Sequence, residues 1–238
     1  MSIIKMSNKQ EQLENRGYLE TGIDSQYLNS SFEQKITLLR SKIATERTLG
    51  ARLLKEDNGA KTTELLINAL INEKKLYPKI EICNTLSTFG KLVIPPLIEC
   101  LGKIGTNQHK KIPEKEFSKD SYPLPRDIAS RTLIRIGDKA IPELLKALET
   151  TDMILLSELI DTIGHINFNF KTKNIYKPLQ SCYYRNKADE VITWKIIRAF
   201  SGIQESEAFL KKLYSEVKKD GLKREIKRSL RLIELNKK

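Results

Sequence analysis

Residues 131–148 read RTLIRIGDKAIPELLKAL. A leucine-spaced run stops at Gly137, and a second begins after Ile141-Pro142. Glycine can take the backbone conformation that closes a helix. Proline suits the first turn of the next one, where its missing N–H costs nothing. The stretch therefore reads as two helices folded back at a tight turn. The template returns in residues 86–101, LSTFGKLVIPPLIECL. There Leu86, Gly90, Ile94, Pro95, Leu97 and Leu101 fall on Leu133, Gly137, Ile141, Pro142, Leu144 and Leu148.

Weaker copies flank these two. Ile160, Gly164, Leu179 and Tyr183 fit if eight residues are inserted between the helices, and Gly202, Phe209 and Leu213 fit without insertion. Nearer the front, Arg47-Thr48-Leu49 echoes Arg131-Thr132-Leu133, and TELLINAL (63–70) echoes PELLKAL (142–148). A lone hairpin leaves its apolar stripe wet, so neighbours must stack to bury it. The expected fold is all-α, an α-solenoid of about five stacked antiparallel hairpins. Residues 1–30 read as a loose lead-in, with a helix capped by Ser31 opening a single domain over 31–238. Long insertions fall at 102–125 and 167–175. The last stretch, GLKREIKRSLRLIELNKK, reads as a basic amphipathic capping helix with Leu222, Ile226, Leu230 and Ile233 inward and Arg228 on the polar side.

The segment IASRTLIRIGDKAIPELLKAL (128–148) resembles a HEAT repeat of the short kind found in phycobilisome-lyase-type HEAT proteins. That form has an alanine-rich first helix, a Gly-Asp turn and a Pro-x-Leu-x3-Leu second helix, matched here by Gly137-Asp138, Pro142, Leu144 and Leu148. The resemblance implies second helices lining a curved surface that holds proteins or peptides, with Asn68, Glu99 and Lys146 facing outward. It also suggests an accessory or chaperone role toward a cofactor-bearing partner. Two enzyme classes built on such repeats are disfavoured. Deoxyhypusine hydroxylases carry His-Glu pairs, and no His-Glu dipeptide occurs here. Alkylpurine DNA glycosylases use tryptophans with an acidic residue, whereas the sole tryptophan, Trp194, sits in EVITWKIIRAF at an apolar helix position.

The bulk composition is consistent with a protein expected in the cytoplasm. The 238 residues carry 42 Lys and Arg against 30 Asp and Glu, a formal charge of +12. That excess favours an acidic partner, protein or nucleic acid. Part of it reflects the abundance of lysine, isoleucine and asparagine that AT-rich coding produces. No apolar run is long enough to span a membrane, so no membrane insertion is expected. Cys83, Cys100 and Cys182 read as buried thiols. His109 and His165 lack partners at metal-ligand spacing, and GKIGTNQHKK (102–111) lacks the spacing of a phosphate loop. No cofactor, metal or catalytic residue is expected.

The candidate binding residues lie in the insertions and on the repeat helices. Residues 167–187, NFNFKTKNIYKPLQSCYYRNK, hold Lys171, Lys173, Lys177, Arg185 and Lys187 with no acid, interleaved with Phe170 and other rings. Cations neutralise phosphates and rings stack on bases, so this mixture suits a nucleic-acid backbone. Lys110 and Lys111 in the first insertion, and Arg131, Arg135 and Lys146 on the strongest repeat, complete the set. The leading expectation is a non-enzymatic scaffold for protein–protein interaction, with nucleic-acid binding second.

Overall fold

The computed structural model describes residues 2–27, 29–105, 108–115 and 117–237, with side chains described from residue 9 onward. Among them the regular structure is helical, with no strand. The chain forms two compact units, Met1–Val93 and Ile94–Lys238.

The first unit holds α1 (Ser2–Asn15), α2 (Phe32–Leu39), α3 (Ala44–Leu53), α4 (Ala60–Asn72) and α5 (Leu76–Thr88). Ser31 caps α2 through a reciprocal capping box with Gln34, as its sequence predicts. Helix α3 packs on both α2 and α5. Gly50 makes the close approach to α2 possible, because a Cβ there would stand 2.3 Å from the Leu39 nitrogen. Residues ahead of α2 are tied in: the Thr48 hydroxyl donates to the Gly17 carbonyl, and Arg52 donates to that of Glu20. At the far side Arg47 grips Glu73 with two bonds of 2.7 and 3.0 Å.

The second unit holds α6 (Ile94–Cys100), α7 (Ile128–Ile136), α8 (Ile141–Ala147), α9 (Met153–Phe170), α10 (Tyr176–Asn186), α11 (Glu190–Ala199), α12 (Glu207–Glu216) and α13 (Asp220–Leu235). Alternate helices pack in chain order: α7 on α9, α9 on α11, α11 on α13. Buried hydroxyls sit in the seams. Ser130 meets Thr162 at 2.7 Å between α7 and α9, and Ser229 donates to the Ile197 carbonyl between α13 and α11. Each satisfies itself inside an apolar contact, which removes the cost of burying it.

The glycines of the two strong template copies behave as turn glycines. Gly90 has φ +63° and Gly137 has φ +78° with ψ −145°, a region essentially reserved for glycine. Pro142 sits in the first turn of α8. The weaker copies differ. Helix α9 runs unbroken through Gly164, so that residue does not end a helix; it admits Tyr122, whose hydroxyl would lie 2.3 Å from a Cβ there. The helix continues through 167–170, leaving 171–175 as the turn.

Residues 102–125 contain no helix among those described, yet they are strapped down. Arg228 of α13 donates to the carbonyls of Phe117, Lys119 and Ser121 at 2.9, 3.2 and 2.7 Å. Tyr122 is 4% exposed. All three cysteines are buried thiols outside any disulfide. No helix among the described residues is long and apolar enough to cross a membrane.

Candidate functional site

Helices α9, α11 and α13 each carry a charged pair three residues apart: Glu158 and Asp161, Lys195 and Arg198, Glu225 and Arg228. On a helix that spacing puts both side chains on one face, and here the faces meet. All six residues are at most 5% exposed. Lys195 Nζ binds Asp161 Oδ2 at 2.7 Å and the Ser157 carbonyl at 3.2 Å, and lies 3.5 Å from Glu158. Glu225 accepts from Trp194 Nε1 at 3.0 Å and from Arg228 at 3.1 Å. The Arg198 guanidinium carbon lies over the Trp194 ring, 3.6 Å from its centroid.

Glu158, Asp161, Arg198 and Glu225 of this cluster line a cavity of about 330 Å³ together with residues of the 108–126 strap. The His109 ring meets Trp194 edge-on at 5.3 Å and closes one side. Burial, with the nearby Arg198 and Lys195 cations, pushes His109 down to about 4, so its imidazole is neutral at pH 7. Burial pushes the Glu158 carboxyl up to about 7 against the pull of Lys195, aided by the charge of Asp161. Burial acts the same way on Asp161, but Lys195 and Arg198 outweigh it and hold that carboxyl below its ordinary value. Of the two α9 carboxyls, Asp161 is thus held ionised while Glu158 is poised near neutrality. Lys115, Arg126 and Arg224 also line the cavity; the first two are exposed.

The residues nominated from sequence divide. Lys171, Lys173 and Lys177 line one groove of about 750 Å³, together with Tyr176, Gln204 and Asn236. Positive φ at Lys171 (+53°) and Asn174 (+63°) bends the chain there. Lys187 is exposed outside the groove lining. Arg185 turns to the end of α8, donating to the Leu148 carbonyl at 3.1 Å and pairing with Glu149 at 3.2 Å. The Phe170 ring lies beside Gly137 and is 53% exposed. Other rings of the segment are already paired: Tyr183 with Tyr184 and with Phe209 of α12, and Tyr176 with Phe200.

The remaining nominees are scattered. Arg131 donates to the Pro125 carbonyl at 2.7 Å, helping to hold the strap. Arg135 is exposed on the last turn of α7. Lys146 is exposed and pairs with Glu143 at 2.9 Å; Asn68 and Glu99 are exposed as well. Lys110 is exposed, and Lys111 lies 3.8 Å from Glu114.

The buried charge cluster was not anticipated. Its trace in the sequence is the pair of like charges inside apolar runs, as in LLSELIDTIG and TWKIIRAF. Arg228, expected on the solvated side of α13, is 1% exposed. Among the described residues no group of His, Cys, Asp and Glu could hold a metal ion.

No protein-family model matches the chain, and no curated protein matches it. Among solved structures it is similar to the crystal structure of an engineered protein, at 16% identity and a TM-score of 0.36, over 86% of this chain and 96% of that one.

Proposed function

We propose that the chain is a non-enzymatic binding module, built of HEAT-like hairpins, that holds an acidic segment of a partner protein. The observation that carries this reading is the gathering of Lys171, Lys173 and Lys177 on one groove. The repeat reading is supported by the glycine–proline template and by the chain-order packing of α7, α9, α11 and α13, the arrangement expected when hairpins stack into an α-solenoid. Side-chain amides of Gln204 and Asn236 share the groove and can bond a peptide backbone.

Nucleic acid is the second reading, favoured by the exposed rings of Phe170 and Tyr184 on the same segment. Stacking needs open ring faces. Within the groove lining the aromatic is Tyr176, and it is paired with Phe200, which is why an acidic peptide ranks first.

Fluorescence anisotropy with a labelled oligoglutamate peptide and with single- and double-stranded oligonucleotides, across a salt series, tests both readings. The expected result is peptide binding that weakens with salt and falls about ten-fold or more in the K171E/K173E/K177E variant. Peptide left unbound at low salt would overturn the proposal. Tighter binding of an oligonucleotide, with a steep salt slope, would replace it with the nucleic-acid reading.

A further inference from the structure

We propose that the first unit carries a binding groove of its own, between the α2–α3 turn and one face of α4, for an acidic peptide segment of a partner protein with an aliphatic residue among its carboxylates. This groove shares no residue with the lysine groove of the second unit and does not rest on the reading of that one.

Helix α4 presents two stripes. Thr62, Thr63, Leu66, Ile67 and Leu70 are buried. Leu65, Asn68, Ala69 and Asn72 follow at the i, i+3, i+4, i+7 spacing of a single helix face and line a groove of about 560 Å³. Its base is fixed by ions that satisfy each other. Glu73 accepts from Arg47 at 2.7 and 3.0 Å, and from the backbone N–H groups of Lys74 and Lys75 at 2.9 and 2.8 Å. Arg47 also donates to the Ser41 and Lys42 carbonyls, both at 3.0 Å. Burial pushes the Glu73 carboxyl up, but Arg47 and the two N–H groups outweigh it and hold that carboxyl below its ordinary value. Glu73 is the sole carboxylate of the lining, and its charge is already matched.

Three cations are left over. Arg40, Lys74 and Lys75 line the same groove, are exposed, and pair with no carboxylate among the described residues. They favour carboxylates supplied from outside. Leu39, Leu65 and Ala69 give the groove an apolar strip, on which an aliphatic side chain is removed from water. Asn68 offers an amide donor and acceptor. Asn72 adds its side-chain oxygen, its Nδ2 being bound to the Asn68 carbonyl at 2.8 Å. Such amides match the N–H and C=O groups of a peptide backbone. A small inorganic anion would use the cations and leave the strip and the amides wet. A single nucleic-acid strand would find no ring to stack on, because no aromatic residue lines the groove. An acidic peptide with an aliphatic residue uses all three features.

The test uses the full chain carrying K171E/K173E/K177E, which takes the lysine groove out of the measurement. A fluorescent peptide of glutamates around a central leucine is titrated by anisotropy at low salt. It should bind saturably, with a Kd of about 100 μM or below, and weaken as salt is added. Adding R40E/K74E/K75E, with folding checked by circular dichroism, should weaken binding about ten-fold. Should that variant misfold, Arg40→Gln alone should weaken it several-fold. A peptide with serine in place of the leucine should also bind several-fold more weakly. No binding to the K171E/K173E/K177E chain, with the natural chain still binding, would overturn this proposal and leave the lysine-groove reading standing. Undiminished affinity in a folded R40E/K74E/K75E or Arg40→Gln variant would overturn it, as would equal affinity for the serine peptide. A duplex oligonucleotide bound more tightly than the peptide, and lost in the same variant, would overturn it in favour of a phosphate backbone.

Discussion

Arg228 shows how one side chain can organise a long insertion. It reaches the carbonyls of residues 117, 119 and 121, pairs with Glu225, and lies over the Phe117 ring at 5.2 Å. Those carbonyls belong to chain without helix or strand to satisfy them, so the guanidinium replaces the missing ladder. Replacing it by alanine leaves Glu225 buried without its cation and frees the strap. Arg228→Ala should cost about 3–5 kcal/mol in urea unfolding. Arg228→Lys keeps the charge but not the fork, so it should recover only part of that loss. Sequence alone pointed the other way, because an arginine in KREIKRSLR looks solvated until a partner segment more than a hundred positions away is folded over it.

At the scale of elements, identical residues in matching template positions do different work. Gly90 and Gly137 close helices through positive φ. Gly164 is helical and serves packing, with the Tyr122 ring carbons Cζ and Cε2 2.6 and 2.9 Å from where its Cβ would be. Gly164→Ala should therefore destabilise the chain by about 1–3 kcal/mol, more than an alanine normally gains over glycine in a helix. In a Tyr122→Ala background the same change should cost at least about 0.5 kcal/mol less, a coupling measurable by a double-mutant cycle. The strong copies were legible because their turn chemistry is local. The weak copies were misjudged at Gly164, where a contact with Tyr122 from the strap, not the local run, sets the need for glycine.

At the scale of the whole molecule, the +12 net charge lies outside the buried cluster, since Lys195, Arg198 and Arg228 are buried together with Glu158, Asp161 and Glu225. That interior titrates. The unfolded chain protonates His109 near 6.5 and the folded one only near 4, so its contribution is full above 6.5 and lost as pH falls through that window. Glu158 has the opposite sign: its folded-state value of about 7 lies above the ordinary 4.5, so its contribution is full below 4.5 and lost as pH rises to 7. Between 4.5 and 6.5 the two oppose each other, and stability should be nearly flat. Glu158→Gln removes one of them. Urea unfolding of that variant should gain about 1 kcal/mol as pH rises across the same window, the size left after allowing for partial exposure of His109. A variant as flat as the natural chain would show that Glu158 does not hold its proton in the fold. The sequence by itself determined the helices, their glycine and proline turns, the Ser31 cap and the apolar stripes, because each is set by residues within a turn or two of one another. Only the tertiary structure decided which lysines share a groove, which cations are buried, and that three pairs of charges at helical spacing meet beneath the strap. Those outcomes depend on which helix faces become neighbours, and charge, unlike apolar periodicity, carries no mark of the side it will face.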